Sequence, residues 1–189
     1  MIITYLGKNC KSYMEEIDKI YEKFWVCPDC HERAHIHSGY IRKVRESGEE
    51  EIEEIKIIRI KCSGPKCGKT HAILPDFLCP HKRYGSEEIS ETIEIYEKTG
   101  KPHESVTGAE ESTIRRWVKG YKAKYSTILK LLESILIGEY GKQVSLIDSA
   151  VSGLERLRII TCKMIEIKYS SIMGKINQLL SLNGLKIFF

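Results

Sequence analysis

The sequence has no long uninterrupted apolar run, and nothing in it approaches the roughly 18 apolar residues of a membrane-spanning helix. Between Met1 and Glu16 there is no basic segment followed by an apolar one, so no secretory signal is expected. There is no phosphate-binding glycine loop and no nucleophile paired with a base, which points to a protein that binds and does not catalyse. An odd number of cysteines, seven, without an export signal argues for a reducing cytoplasm, where paired thiols bind metal more often than they oxidise. What remains is ordinary globular material. Hydrophobic residues make up 42% and charged residues 30% of 189 positions, enough for one compact domain or two small ones.

Two cysteine pairs organise the chain: Cys27-Pro28-Asp29-Cys30 and Cys62-Ser63-Gly64-Pro65-Lys66-Cys67. The residues between them read as two strands around a polar turn. One run carries Ile36, Tyr40, Ile41 and Val44, the other Ile55, Ile57, Ile58 and Ile60, with basic residues interleaved. Four thiolates from two knuckles at the base of a hairpin suit tetrahedral Zn²⁺, so Cys27, Cys30, Cys62 and Cys67 are the expected ligands. His31 and Gly68, each directly after a cysteine, are expected to take the positive φ that turns the knuckle. His71, Cys79 and His81 are the available substitutes should one thiolate fall outside the site. Cys10, Cys79 and Cys162 otherwise read as buried small side chains. Thr70 to Pro75 supplies a third strand, giving a small antiparallel sheet whose thin core needs the metal. The glutamates of the hairpin tip, Ser47 to Glu54, read as a solvated turn. Residues 1–26 read as a strand and an amphipathic helix with Met14, Ile17, Tyr21 and Phe24 as its packing face.

From residue 86 the pattern becomes helical. Ser86 is placed as an N-cap, with Glu87 and Glu88 in the first turn, where they suit the helix dipole. Ile89, Ile93 and Tyr96 define the apolar face, and Gly100 and Pro102 end the helix. After a short segment, His103 to Thr107, comes a second helix capped by Glu111 or Ser112. Its Ile114, Trp117, Val118 and Tyr121 face inward, with Trp117 held against Ile89 or Ile93. Ser112, Thr113, Arg115, Arg116, Lys119 and Lys122 lie outside. This is a helix-turn-helix arrangement in which those six residues form a DNA face. The helix is expected to run to about Leu136 along a seam of Tyr125, Ile128, Leu132 and Ile135, with Gly138 to Gly141 breaking it. A last long helix is expected from about Ser145, with Leu146, Ala150, Leu154, Leu157, Thr161, Met164 and Ile172 on one face and Asn183-Gly184 as its stop. The two long helices either pack on each other within one chain or form a homodimer interface. Their apolar seams are independent of the ribbon, so they are expected to survive its unfolding.

Net charge is only +4, but residues 86–110 hold seven acids against two bases, whereas Glu111 onward holds thirteen bases against six acids. That asymmetry favours a polyanion-facing surface in the C-terminal half.

The motifs carry a resemblance over roughly residues 25–125. Cys27-Pro28-x-Cys30, Gly39-Tyr40-Ile41-Arg42, Arg59-Ile60-Lys61-Cys62 and Cys67-Gly68-Lys69-Thr70-His71-Ala72-Ile73-Leu74-Pro75 resemble the N-terminal zinc ribbon of certain bacterial insertion-sequence transposases. They are closer still to a family of short bacterial proteins that share this ribbon. Ser112-Thr113-Ile114-Arg115-Arg116-Trp117 is similar to the start of the recognition helix in transposase-type helix-turn-helix domains. The resemblance implies recognition of DNA ends or operators. No RNase-H-like domain of the kind that performs transposition is expected in the stretch after the recognition helix, where Asp148, Glu155 and Glu166 occur with as many bases or more.

The expected fold is therefore α+β, with four parts: a strand and helix (1–26), a zinc ribbon (27–85), a helix-turn-helix with an extended recognition helix (86–137) and a C-terminal helical region (138–189) that completes a long helical hairpin. The expected function is zinc-dependent DNA binding without catalysis, as a regulator, accessory or relic of a mobile element. The alternative is a zinc-stapled adaptor for a protein or RNA.

Overall fold

The computed structural model describes residues 1–46, 52–102, 108–140, 152–164, 169–185 and 189. The chain starts with strand β1 (Ile2–Thr4) and two short helices, α1 (Cys10–Glu16) and α2 (Lys19–Glu22). Asn9 caps α1 by accepting the Ser12 N–H at 2.8 Å, and the Ser12 hydroxyl accepts the Asn9 N–H in return. Strands β2 (Trp25–Val26), β3 (Arg33–Arg45), β4 (Ile52–Cys62) and β5 (Thr70–Pro75) follow. They form one five-stranded sheet in the order β1-β5-β4-β3-β2. β4 is central, and Ile55, Ile57, Ile58 and Ile60 are all buried, so it is covered on both faces. β3 and β4 pair from Ala34↔Cys62 at one end to Arg45↔Ile52 at the other, with a bulge between Ile36 and Ser38.

Four helices make a second layer: α3 (Ser86–Thr99), α4 (Glu111–Tyr140), α5 (Gly153–Cys162) and α6 (Ile172–Leu182). The α4 seam is as the spacing predicts, with Ile114, Val118, Tyr121, Ile128 and Leu132 buried against Leu154, Leu157 and Ile160. Each such side chain contributes about 1.5–3 kcal/mol by leaving water. Trp117 is only 5% exposed; it packs edge-on against Tyr84 at 4.9 Å and joins Ile89 and Ile93 in the same core. The fold is thus mixed α+β. Among the described residues no helix is long and apolar enough to cross a membrane.

The sheet core and the helical core meet at Asp76, which is fully buried. Its carboxylate accepts the Ser170 N–H (2.7 Å), the Ser170 hydroxyl (3.0 Å) and the Gln178 amide (3.0 Å). On the same joint, the Ile3 N–H donates to the Ser181 hydroxyl at 3.0 Å. The C-terminal helices are therefore fastened to the sheet, where the sequence led us to expect independence.

Several expectations change. The sheet is not wholly antiparallel, because β1 adds a parallel edge on β5. Met14, Tyr21 and Phe24 are exposed, and the buried residues of α1 and α2 are Cys10, Tyr13 and Ile20. α1 turns Cys10 and Tyr13 inward and leaves Met14 outside, and because it ends at Glu16 it does not align Tyr21 and Phe24 with them; of the expected face Ile17 packs against the sheet core. Ser86 is not a cap. It is the first residue of α3, and its buried hydroxyl donates to the Asp76 carbonyl and bonds the Ser171 hydroxyl. The cap of α4 is Glu110, whose carbonyl accepts the Thr113 and Ile114 N–H groups. α4 also continues through Gly138 to Tyr140. The last long helix is two, since α5 ends at Cys162 and α6 starts at Ile172, with Ser171 accepting the Gly174 N–H. Cys162 is exposed, unlike Cys10 and Cys79. The turn at 47–51, the segment 103–107, Leu146, Asp148, Ala150 and Glu166 lie outside the described residues.

Candidate metal centre and basic cleft

Cys27 follows β2 and starts a tight turn. Its N–H donates to the Glu32 carbonyl (2.8 Å) and its carbonyl accepts the His31 N–H (2.9 Å). His31 has φ 61°, the left-handed conformation expected of it, and Gly68 has φ 57° in the second turn. There the Cys62 N–H donates to the Lys69 carbonyl (2.9 Å), and the Gly64 carbonyl accepts from Cys67 and Gly68 at 3.1 and 3.3 Å. The Gly64 N–H donates to the Cys62 sulfur at 3.3 Å. A Lys69–Asp29 ion pair at 2.7 Å ties one turn to the other.

These turns bring Cys27, Cys30, Cys62 and Cys67 together, with all four sulfurs within 4.8 Å of one another. The Cys27–Cys67 distance is 3.8 Å and the Cys30–Cys62 distance 3.3 Å. A tetrahedral ion with bonds of about 2.3 Å to sulfur sets sulfurs about 3.8 Å apart. The residues therefore fit and are positioned to hold a thiophilic metal ion. Burial disfavours the Cys27 thiolate, yet N–H groups of Asp29 and Cys30 aimed at its sulfur bring it down to about 7. At Cys30 the Glu32 N–H favours the thiolate most strongly, but hydrogen bonding with Cys62, desolvation and hydrogen bonding with Cys67 and Cys27 together outweigh it and the group is pushed up to about 12. His71 was a candidate ligand. It is buried beside the site, its Nε2 3.3 Å from the Cys27 sulfur, as a neighbour of a complete four-sulfur set. Cys79 lies in the helical core, away from the cluster, and His81 is exposed.

At the opposite end of the β3–β4 ribbon lies a cleft of about 500 Å³, between the ends of the two strands, the loop 81–84 and the first turns of α4. The loop is built in. The half-buried Arg42 side chain donates to the carbonyls of Cys79 (2.7 Å) and Lys82, and the Arg45 N–H donates to the Arg83 carbonyl (2.7 Å). Lys43, Arg45, His81, Lys82, Arg83 and Arg116 line the cleft, and among the described residues Glu110 is the only carboxylate that does.

Residues 27–117 match the family model for a domain of unknown function, DUF6431. No curated protein and no solved structure matches the chain. The matched stretch contains all four cysteines and every residue that lines the cleft.

Within that stretch, the six residues expected to form a DNA face divide. Thr113 and Arg116 line the cleft, where the Arg116 guanidinium donates to Thr113 Oγ1 at 2.9 Å. Arg115 pairs with Glu111, its Nε 2.8 Å from the carboxylate. Beyond the stretch, Lys122 lies over the Tyr96 ring at 5.2 Å, on the side of α3. Ser112 and Lys119 are exposed. Sequence reasoning missed Lys43, Arg45, Lys82 and Arg83, because cations alternating along a strand read as a solvated face. The His81-Lys82-Arg83 triplet was the available signal.

Proposed function

We propose that the protein is a zinc-dependent DNA-binding protein related to the N-terminal parts of insertion-sequence transposases, serving a mobile element as regulator, accessory or catalytically empty relic. Zn²⁺ held by Cys27, Cys30, Cys62 and Cys67 supplies a cross-link between the two turns, and the ribbon depends on it. α3 and α4 are the helix-turn-helix, with α4 as the recognition helix. The observation that carries this reading is the start of α4. Buried Trp117 anchors it, and Thr113 and Arg116 line a cleft with further cations and, among the described residues, a single carboxylate. None of Arg45, Lys82, Arg83 and Arg116 has a carboxylate partner among the described residues.

Titration of duplex DNA across a salt series, read by fluorescence anisotropy, tests the reading. Wild-type affinity should fall steeply with salt as counterions are released. Arg116→Ala should cost about 1–3 kcal/mol and relax preference at one base pair, and Lys119→Ala should weaken all sequences alike and reduce the salt slope by about one. Unchanged binding in both variants would sink the DNA-reader assignment. The adaptor alternative draws support from Met14, Tyr21 and Phe24, large side chains exposed around α1 and α2. A partner captured through them would bind with little salt dependence.

A further inference from the structure

We propose that the cleft between the far end of the β3–β4 ribbon and the start of α4 holds an unpaired stretch of nucleic-acid strand, with its phosphates on Arg45 and Arg83 and a base against Tyr84. The inference rests on the nucleic-acid reading above and adds residues and a ligand form that it does not contain.

Three observations converge. The first is shape. A volume of about 500 Å³ lies within the roughly 300–1,000 Å³ of pockets that enclose small ligands. A duplex is too wide to enter it and touches only the rim. The first turns of α4 form one wall of the recess. A strand fits between such walls.

The second observation is chemistry. Non-specific single-strand sites combine a cationic groove with aromatic rings on which bases stack. The cleft has both. Arg45 and Arg83 are exposed on it, and Tyr84, half-buried against Trp117, is also part of its lining. An acidic peptide would satisfy the cations and leave the aromatic pair unused.

The third is preorganisation. Arg42 holds the loop by two carbonyls, Arg45 is bonded to Arg83 through the backbone, and His81 takes φ 61° to make the turn. The cations thus stand on a fixed frame, and less ordering is lost when ligand binds.

The test uses fluorescein-labelled dT10 and rU10, a duplex of the same length, and poly-glutamate as competitor, with the metal-loaded full chain. Either single strand should bind, and the tighter of the two names the sugar. Arg45→Ala and Arg83→Ala should each reduce the salt slope for that strand by about 0.7. Tyr84→Leu should weaken it about tenfold at unchanged slope, Tyr84→Phe should restore it, and Lys23→Ala, away from the cleft, should change nothing. Thermal melting checks that Tyr84→Leu is folded, and if it is not, the two arginine variants still decide. Duplex bound while neither single strand is bound would overturn the cleft and leave the proposed function standing. No nucleic acid bound at all overturns both. Poly-glutamate displacing the strand at equal charge, with Tyr84→Leu indistinguishable from wild type, would replace the nucleotide by an acidic peptide.

Discussion

Asp76 is the residue on which sheet and helices meet, and its chemistry makes the joint sensitive to pH. Burial raises its carboxyl to about 6, against the opposing effect of hydrogen bonds from Ser170 and Gln178. A raised pKa means that the folded state prefers the protonated form. The associated stability is fully present below about 3.9 and is lost as pH rises through about 6. At pH 7 the ionised form is therefore held at a cost of about 3 kcal/mol. Asp76→Asn should remove this dependence. Urea unfolding at stepped pH should show wild type losing stability relative to the variant between pH 4 and 7, whereas parallel curves would exclude the burial argument. Single residues were legible where their chemistry is local. The four cysteines declare themselves by spacing, and His31 and Gly68 by the handedness their turns require. Cys10 and Cys79 are buried as expected of small side chains, whereas Asp76 and Cys162 were not legible, because their surroundings come from segments far away in the chain.

Among the elements, α6 depends most on one small residue. A Cβ on Gly174 would come within 2.8 Å of the Asp76 carbonyl oxygen and 2.9 Å of its carboxylate. Two effects oppose in Gly174→Ala. Helix propensity favours alanine by about 1 kcal/mol, and overpacking against a backbone atom costs about 1–3 kcal/mol. The clash wins, since a carbonyl cannot rotate away as a side-chain tip can. Thermal melting should place Gly174→Ala below wild type, and a rise would show that α6 has room to shift. This dependence also explains what the pattern concealed. β3, β4, α3 and α4 have strong periods and were readable. The break between α5 and α6 is set by Ser170 and Ser171 reaching Asp76 and the start of α3, a tertiary cause with no period. Met14, Tyr21 and Phe24 keep helical spacing while the helix that would have aligned them ends at Glu16.

For the whole molecule, the question is how far metal loss spreads. Because α6 is bonded to both β1 and the Asp76 corner, stripping the metal with a chelator should lower the melting temperature by on the order of 10 °C. Circular dichroism and tryptophan fluorescence should report one coincident transition. Helix signal persisting after the sheet has melted would return the two layers to independence. The ribbon itself supplies the last consequence. Its paired register runs from Ala34, beside the cysteines, to Arg45, on the cleft. Eleven steps at about 3.3 Å make a spacing of roughly 35 Å. The screening length of physiological salt is about 8 Å. The charge of a metal ion at one end is therefore invisible at the other, and its presence is felt there only through the straightness of two strands. A cobalt ion in the four-sulfur site would serve as the zero mark of a ruler. Paramagnetic relaxation of a spin at the cleft would measure that straightness directly.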